Sequence, residues 1–284
     1  MIPIRVIRRR IRSIQSTAKI TRAMEMIAAS KMRQAQLRVL AARPYAEKMH
    51  EVVAHLAAQV EPGEELHPLL QRREVKRVAV VHIAGDRGLC GGLNANVNRM
   101  TANFILEQSV PVSSIAVGRR GITFMSRYGQ DILAEFTQLG DQPSLLDTIP
   151  ISRVVIDDYT NDTIDQVYLA YTQFITTVHQ EPVLQELLPI EPAKMERTES
   201  LEYIYEPSPP AVLEHLLPRY VEMQVYHAIL ESIASEQSAR MVAMRNATDN
   251  ANDMLEELTL ILNKARQELI TRELLDIAGG VAGT

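Results

Sequence analysis

The chain opens on a helical stripe. Ile4, Ile7, Ile11, Ile14, Ala18 and Thr21 recur at alternating steps of three and four, which places them on one face of a helix with polar residues between them. The stripe runs on more loosely through Met24, Ala28 and Ala35. Pro3 stands where a helix start tolerates it. Pro44 lacks the amide proton that an interior position uses, so a kink or an end is predicted near Ala42 or Arg43, with an extension through Tyr45 to Ala58 compatible with the pattern. A second stripe lies at the other end of the chain: Leu213, Leu217 and Tyr220, then Met241, Met244, Thr248, Ala251, Leu255, Leu258, Leu262, Ala265 and Leu269. Residues 219–278 contain neither Gly nor Pro, and Gly279 and Gly280 mark a fraying end. At the standard rise the first helix would span roughly 60–80 Å and the second roughly 90–105 Å.

Helices of that length are not stable alone in water, because each stripe has to be buried against something. The economical solution is that they pair with each other. If a compact middle domain joins them at one end, the pair is antiparallel and the chain termini meet near the other end. Ile, Leu, Met, Ala and Thr fill both stripes almost without aromatic residues, which suits a slim two-stranded seam.

The middle, residues 75–206, has the pattern of an α/β domain. Val75–Ala84 and Val112–Val117 are β-branched apolar runs that end at Gly85 and Gly118, and Leu93–Gln108 between them can form a crossover helix. A helix is expected near Ser144–Ile156 and a later strand over Ile164–Phe174. Glu181–Pro192 and Pro207–Pro210 are read as connectors. The expected fold is therefore α+β: a long antiparallel coiled coil from residues 1–58 and 210–284, with a Rossmann-like domain over 75–206 inserted between them.

Composition sharpens this picture once it is divided along the chain. The totals, 284 residues with 46% hydrophobic and 23% charged, exclude a disordered, collagen-like or disulfide-stapled protein. Every aromatic residue lies between Tyr45 and Tyr226, and nine of the 12 glycines lie between Gly63 and Gly140. Residues 1–50 hold 12 Lys and Arg against Glu25 and Glu47, net +10, whereas the chain as a whole is −5. The single Cys90 forms no intramolecular disulfide and requires no oxidising compartment. There is no signal-peptide core and no apolar run near the roughly 20 residues that span a bilayer. The expectation is a cytosolic chain, or one held at a membrane through a partner.

Candidate chemistry is sparse. Gly85-Asp86-Arg87-Gly88-Leu89-Cys90-Gly91-Gly92 joins a predicted strand to a predicted helix, where α/β proteins bind phosphate on backbone amides. It has neither the ending of a P-loop nor the spacing of a dinucleotide fingerprint, and a tight turn accounts for its glycines. Cys90 has no evident His partner for nucleophilic chemistry. The seven His residues form no ligand cluster, with His50 and His55 five residues apart on different helix faces. No metal or cofactor is expected. The basic N-terminal helix fits three readings: a nucleic-acid contact, a solvated face, or an acidic protein partner.

Two long segments settle on a family. Residues 7–38, IRRRIRSIQSTAKITRAMEMIAASKMRQAQLR, and residues 234–275, ASEQSARMVAMRNATDNANDMLEELTLILNKARQELITRELL, resemble the terminal helices of the gamma subunit of F-type ATP synthases. Gly85–Gly92 and the segment Glu202–Pro207, EYIYEP, resemble the same family, so the match covers essentially the whole chain.

The resemblance implies a rotor and not an enzyme: an asymmetric coiled coil inside a ring of alpha and beta subunits, with catalysis on beta. Its α/β foot would sit with epsilon on the membrane ring of c subunits, at the cytoplasmic face of the cell membrane, without spanning it and without binding nucleic acid. Carried over by position, Met24 would lie near an acidic beta loop, with Arg8, Arg9, Lys19, Arg22 and Arg33 supplying positive charge. Arg266 and Gln267 would hydrogen-bond a beta loop, Arg240 would belong to the same contact set, and Tyr203, Tyr205 and Glu206 would face the c ring. The paired cysteines of the chloroplast form are absent, so thiol regulation is not expected.

Overall fold

The computed structural model describes residues 3–58, 67–190 and 208–281. The chain divides into two compact units, one made of Met1–Ala28 with Arg240–Thr284 and the other of Ala29–Ala239. Two long helices contribute to both: α1, Ile4–Ala58, and the C-terminal helix αC, Pro209–Val281; the helical turn Pro68–Leu70 is α2.

In the larger unit five strands form one sheet in the order β3-β2-β1-β4-β5. These are β1 (Val78–Ile83), β2 (Val112–Val117), β3 (Asp131–Phe136), β4 (Gln166–Phe174) and β5 (Gln180–Leu188), and only β5 runs antiparallel to its neighbour. The helices between them are α3 (Leu93–Glu107), α4 (Arg119–Arg127) and α5 (Leu145–Thr160).

Right-handed crossovers fix which face each helix covers. The steps β1 to β2 and β2 to β3 move in one direction, which puts α3 and α4 on one face. The step back to β4 reverses direction and puts α5 on the other. With both faces covered, β1 and β2 are buried at every position, which is why they read as continuous apolar runs and not as alternating ones. The α3 face packs Val78, Val80, Val112 and Ala170 against Met100, Phe104 and Ile105. The opposite face is the main core, where Val81, Ile83, Ile115 and Leu169 meet Ile151, Val155 and Tyr159 of α5, Leu217, Val221 and Val225 of αC, and Met49, Val53 and Leu56 of α1.

That core explains why α1 does not stop at Pro44. The helix continues through it to Ala58, and Met49, Val53 and Leu56 beyond the proline are buried in the main core, so burial outweighs the lost helical hydrogen bond. Pro218 is carried inside αC in the same way, between buried Leu217 and Tyr220.

The expected β-α-β unit is present, with β2 at the expected residues. The expected helix near Ser144 is α5, which begins with a capping box in which Ser144 and Asp147 satisfy each other's backbone amides. The connector reading of Glu181–Pro192 is corrected: residues through Leu188 form β5, the antiparallel edge of the sheet. Pro182 hid it, but an edge strand has one side without ladder partners and tolerates a residue with no amide proton. The segment between Gly118 and Ser144, for which the pattern predicts nothing, holds α4 and the other edge strand, β3.

Within the larger unit, Ala35 and Val39 of α1 pack on Leu230 and Ala234 of αC.

Candidate functional site

The smaller unit is a pair of helical segments. Ile7, Thr21 and Ala28 of α1 and Met241, Met244, Thr248 and Ala251 of αC are buried. Their positions are those of the two stripes. Thr21 Oγ1 lies 2.7 Å from Thr248 Oγ1, and both hydroxyls also reach backbone carbonyls of their own helices, Ala18 at 3.1 Å and Met244 at 2.9 Å. Each hydroxyl has a single proton, so one of the two donates across the seam while the other donates back to its own helix. A turn further on, Arg245 Nε donates to Glu25 Oε1 at 2.9 Å. The step from 21 to 25 is matched by a step from 248 to 245, so this pair is antiparallel. A slip of one turn would part the two hydroxyls and lose the bond between them, so the threonine pair favours this register.

The expected contact residues are not gathered into one site. Arg8, Arg9, Lys19 and Arg22 are exposed along α1, and Met24 is half-buried. Arg33 is also exposed on α1 but belongs to the larger unit. Arg266 and Gln267 are exposed on αC, whereas Arg240 is buried, with 9% of its surface accessible. Tyr203, Tyr205 and Glu206 lie outside the described residues.

Reading the stripes alone misses a set of apolar residues that point away from them. Ile20, Met26 and Ile27 on α1 are 55–68% exposed. On αC, Leu260, Ile261, Leu269, Ile270, Leu274 and Leu275 are 43–70% exposed. Only Leu269 of these belongs to the periodic stripe. The signal was present as apolar residues out of phase with the helical period.

In the larger unit, Gly85–Gly92 forms a tight strand-to-helix turn. Leu89 and Gly91 have φ of 64° and 59°, and Gly92 is the N-cap of α3. Cys90 is buried, with Asn94 Nδ2 3.2 Å from its sulfur. Asp86 is the exception to the loop's bland character. One carboxylate oxygen accepts from the amide of Arg119 at 2.9 Å and the other from the amide of Gln138 at 3.0 Å. Behind the turn His82 is fully buried, with Nε2 2.8 Å from Asn98 Oδ1 and Nδ1 3.0 Å from Thr101 Oγ1. Burial pushes its pKa down to about 4, against a smaller upward pull from Asn98, so the ring is neutral near pH 7. Among the described residues no group of three or more His, Cys, Asp or Glu side chains could hold a metal ion.

A model of the ATP synthase family, described as "ATP synthase", matches residues 3–283. The ATP synthase gamma chain of Dehalococcoides mccartyi is 64% identical over 282 residues, covering 99% of both chains, and that of Cupriavidus necator is 49% identical, covering 97% of both. The chain belongs to the ATP synthase gamma-chain family.

Solved structures related to this gamma-family chain agree in fold. A chain of the central stalk and c ring of the Tetrahymena thermophila mitochondrial ATP synthase superposes with a TM-score of 0.61 at 27% identity, covering 80% of this chain and 99% of that one. One from the Euglena gracilis mitochondrial ATP synthase reaches a TM-score of 0.70 at 19% identity, covering 99% and 94%, a likeness of fold. Within the described residues of the gamma-family chain, no helix is long and apolar enough to cross a membrane.

Proposed function

We infer that this chain is the central-stalk rotor of an F-type ATP synthase, turning inside a ring of alpha and beta subunits to couple transmembrane proton or sodium flow to ATP synthesis. The kinship of its whole length to gamma chains supports the reading. The observation that carries it physically is the exposed apolar surface of αC. Leu260, Leu274 and Leu275 are 61–70% exposed on a helix whose partner seam lies elsewhere, and covering them with another surface removes apolar area from water. A sleeve of beta and alpha subunits would supply that cover. Arg8, Arg9, Lys19 and Arg22 would then face acidic loops, with Met24 among them.

In this reading the chain is non-catalytic and acts by its asymmetry. Three chemically identical beta subunits meet different faces of one rod, and each is held in the conformation its own face favours. Moving one site from a 1:99 to a 99:1 population takes about 5.5 kcal/mol of differential contact. That total is built from many contacts along the rod and not from one ion pair. The domain assignment that goes with it is a coiled coil from residues 1–58 and 210–284 and a foot over 75–206. The foot would carry Tyr203, Tyr205 and Glu206 toward the c ring, with epsilon beside it, at the cytoplasmic face of the cell membrane.

The test is a double substitution of Arg266 and Gln267 by Ala in the assembled synthase. Loss of coupling or assembly is expected. Unchanged ATP synthesis and rotation would remove both residues from the contact set.

A further inference from the structure

In a doubly wound sheet the carboxyl ends of the strands open onto a crevice, and helix amides there receive the phosphate of a bound nucleotide. This chain has the crevice, a cavity of about 460 Å³ lined by Gly85, Asp86, Gly118, Gln138, Thr172 and Glu236 among others. We propose that Asp86 fills the phosphate position with its own carboxylate, so that an internal ligand ties three strand ends together and the crevice serves as a closed joint.

The carboxylate sits where a bound oxyanion would. It accepts the amide of Arg119, the first residue of α4, and the amide of Gln138, just beyond β3. The next amide of that helix, Arg120, is already bonded to the carbonyl of Gly85 at 3.0 Å. The approach is built for it. Gly118 has φ of 88°, and a Cβ there would lie 1.9 Å from the Ala84 carbonyl oxygen, so the ends of β1 and β2 come closer than any side chain allows. Gln138 is held at φ of 63°, a left-handed conformation that a glutamine adopts rarely, and in it the residue's amide reaches Asp86. A second carboxylate, Glu236, lies against Gly85, where a Cβ would be 2.9 Å from Oε2. Asp86 and Glu236 both line the cavity, with Arg87 and Arg119 beside them, and the amides that a phosphate would use are taken by Asp86.

The test is Asp86→Ala in the full-length chain, with formate supplied in place of the missing carboxylate. In chloride the variant is expected to melt about 5 °C below the unsubstituted chain. Formate at the same ionic strength should restore at least half of that loss and leave the unsubstituted chain unmoved. Equal melting temperatures in chloride, or an equal response of both proteins to formate, would overturn the proposal. If the variant does not fold, amide exchange on the unsubstituted chain decides. Protection of both Arg119 and Gln138 amides supports the carboxylate bridge, and exchange of either at the rate of an open loop refutes it, because Asp86 is the acceptor of both the first-turn amide of Arg119 and the loop amide of Gln138.

Discussion

Replacing Gly118 by Ala tests the steric argument at its most demanding point. The backbone there has φ of 88°, which costs an L residue about 1–2 kcal/mol. The new Cβ would also lie 1.9 Å from the Ala84 carbonyl oxygen and 2.8 Å from its carbon. Neither atom belongs to a side chain that can rotate away, so the ends of β1 and β2 must part by more than an ångström. Two backbone bonds join those ends, the Ala84 amide to the Val117 carbonyl at 2.9 Å and the Arg120 amide to the Gly85 carbonyl at 3.0 Å. Losing both adds about 2 kcal/mol, and the total is about 4 kcal/mol. Gly129 supplies the control. Its φ is 67° and nothing lies within 4 Å of a Cβ there, so Gly129→Ala bears the conformational cost alone, about 1–2 kcal/mol. All nine tyrosines lie between Tyr45 and Tyr226, within the larger unit, and there is no Trp, so urea unfolding followed by tyrosine fluorescence reads that unit selectively. The reasoning is refuted if the two variants lose stability equally within about 0.5 kcal/mol.

Three further outcomes follow from the same geometry. His82 is neutral and buried with its pKa pushed down to about 4, so the unfolded chain binds the extra proton between pH 6.5 and pH 4. Its contribution is complete above pH 6.5 and is lost as pH falls to about 4, by about 3 kcal/mol at most, and His82→Gln should flatten that part of a stability-against-pH curve. In the smaller unit, Thr21→Val and Thr248→Val should each cost about 1 kcal/mol, and the double variant less than their sum; strict additivity in a double-mutant cycle would deny the shared hydrogen bond. Thr21→Cys with Thr248→Cys should form an intramolecular disulfide on mild oxidation, visible as a mobility shift reversed by reductant, since the hydroxyls they replace are 2.7 Å apart.

The two long helices were legible because a helical period needs no partner to be visible: Ile7, Thr21, Thr248 and Ala251 are buried where the stripe puts them. β1 and β2 were legible for a related reason, since strands covered on both faces become unbroken apolar runs. β3 and β5 were not. They are the sheet's edges, half-exposed and half-polar, and β5 contains Pro182, so the order of the strands determines their state more than their own residues do. The Gly85–Gly92 turn was visible as glycine spacing, but the role of Asp86 was not, because its two partners stand 33 and 52 residues away.

By itself the sequence determined that both ends of the chain form long helices, that the basic charge is concentrated at the start of the chain, and which family it joins. These are properties of local spacing and composition. Only the tertiary structure decided that α1 runs on through Pro44, that Thr21 meets Thr248, and that Asp86 closes the crevice. Each of those depends on an atom brought near from far along the chain, and the energy of such a contact, unlike a helical period, leaves no trace in the residues on either side of it.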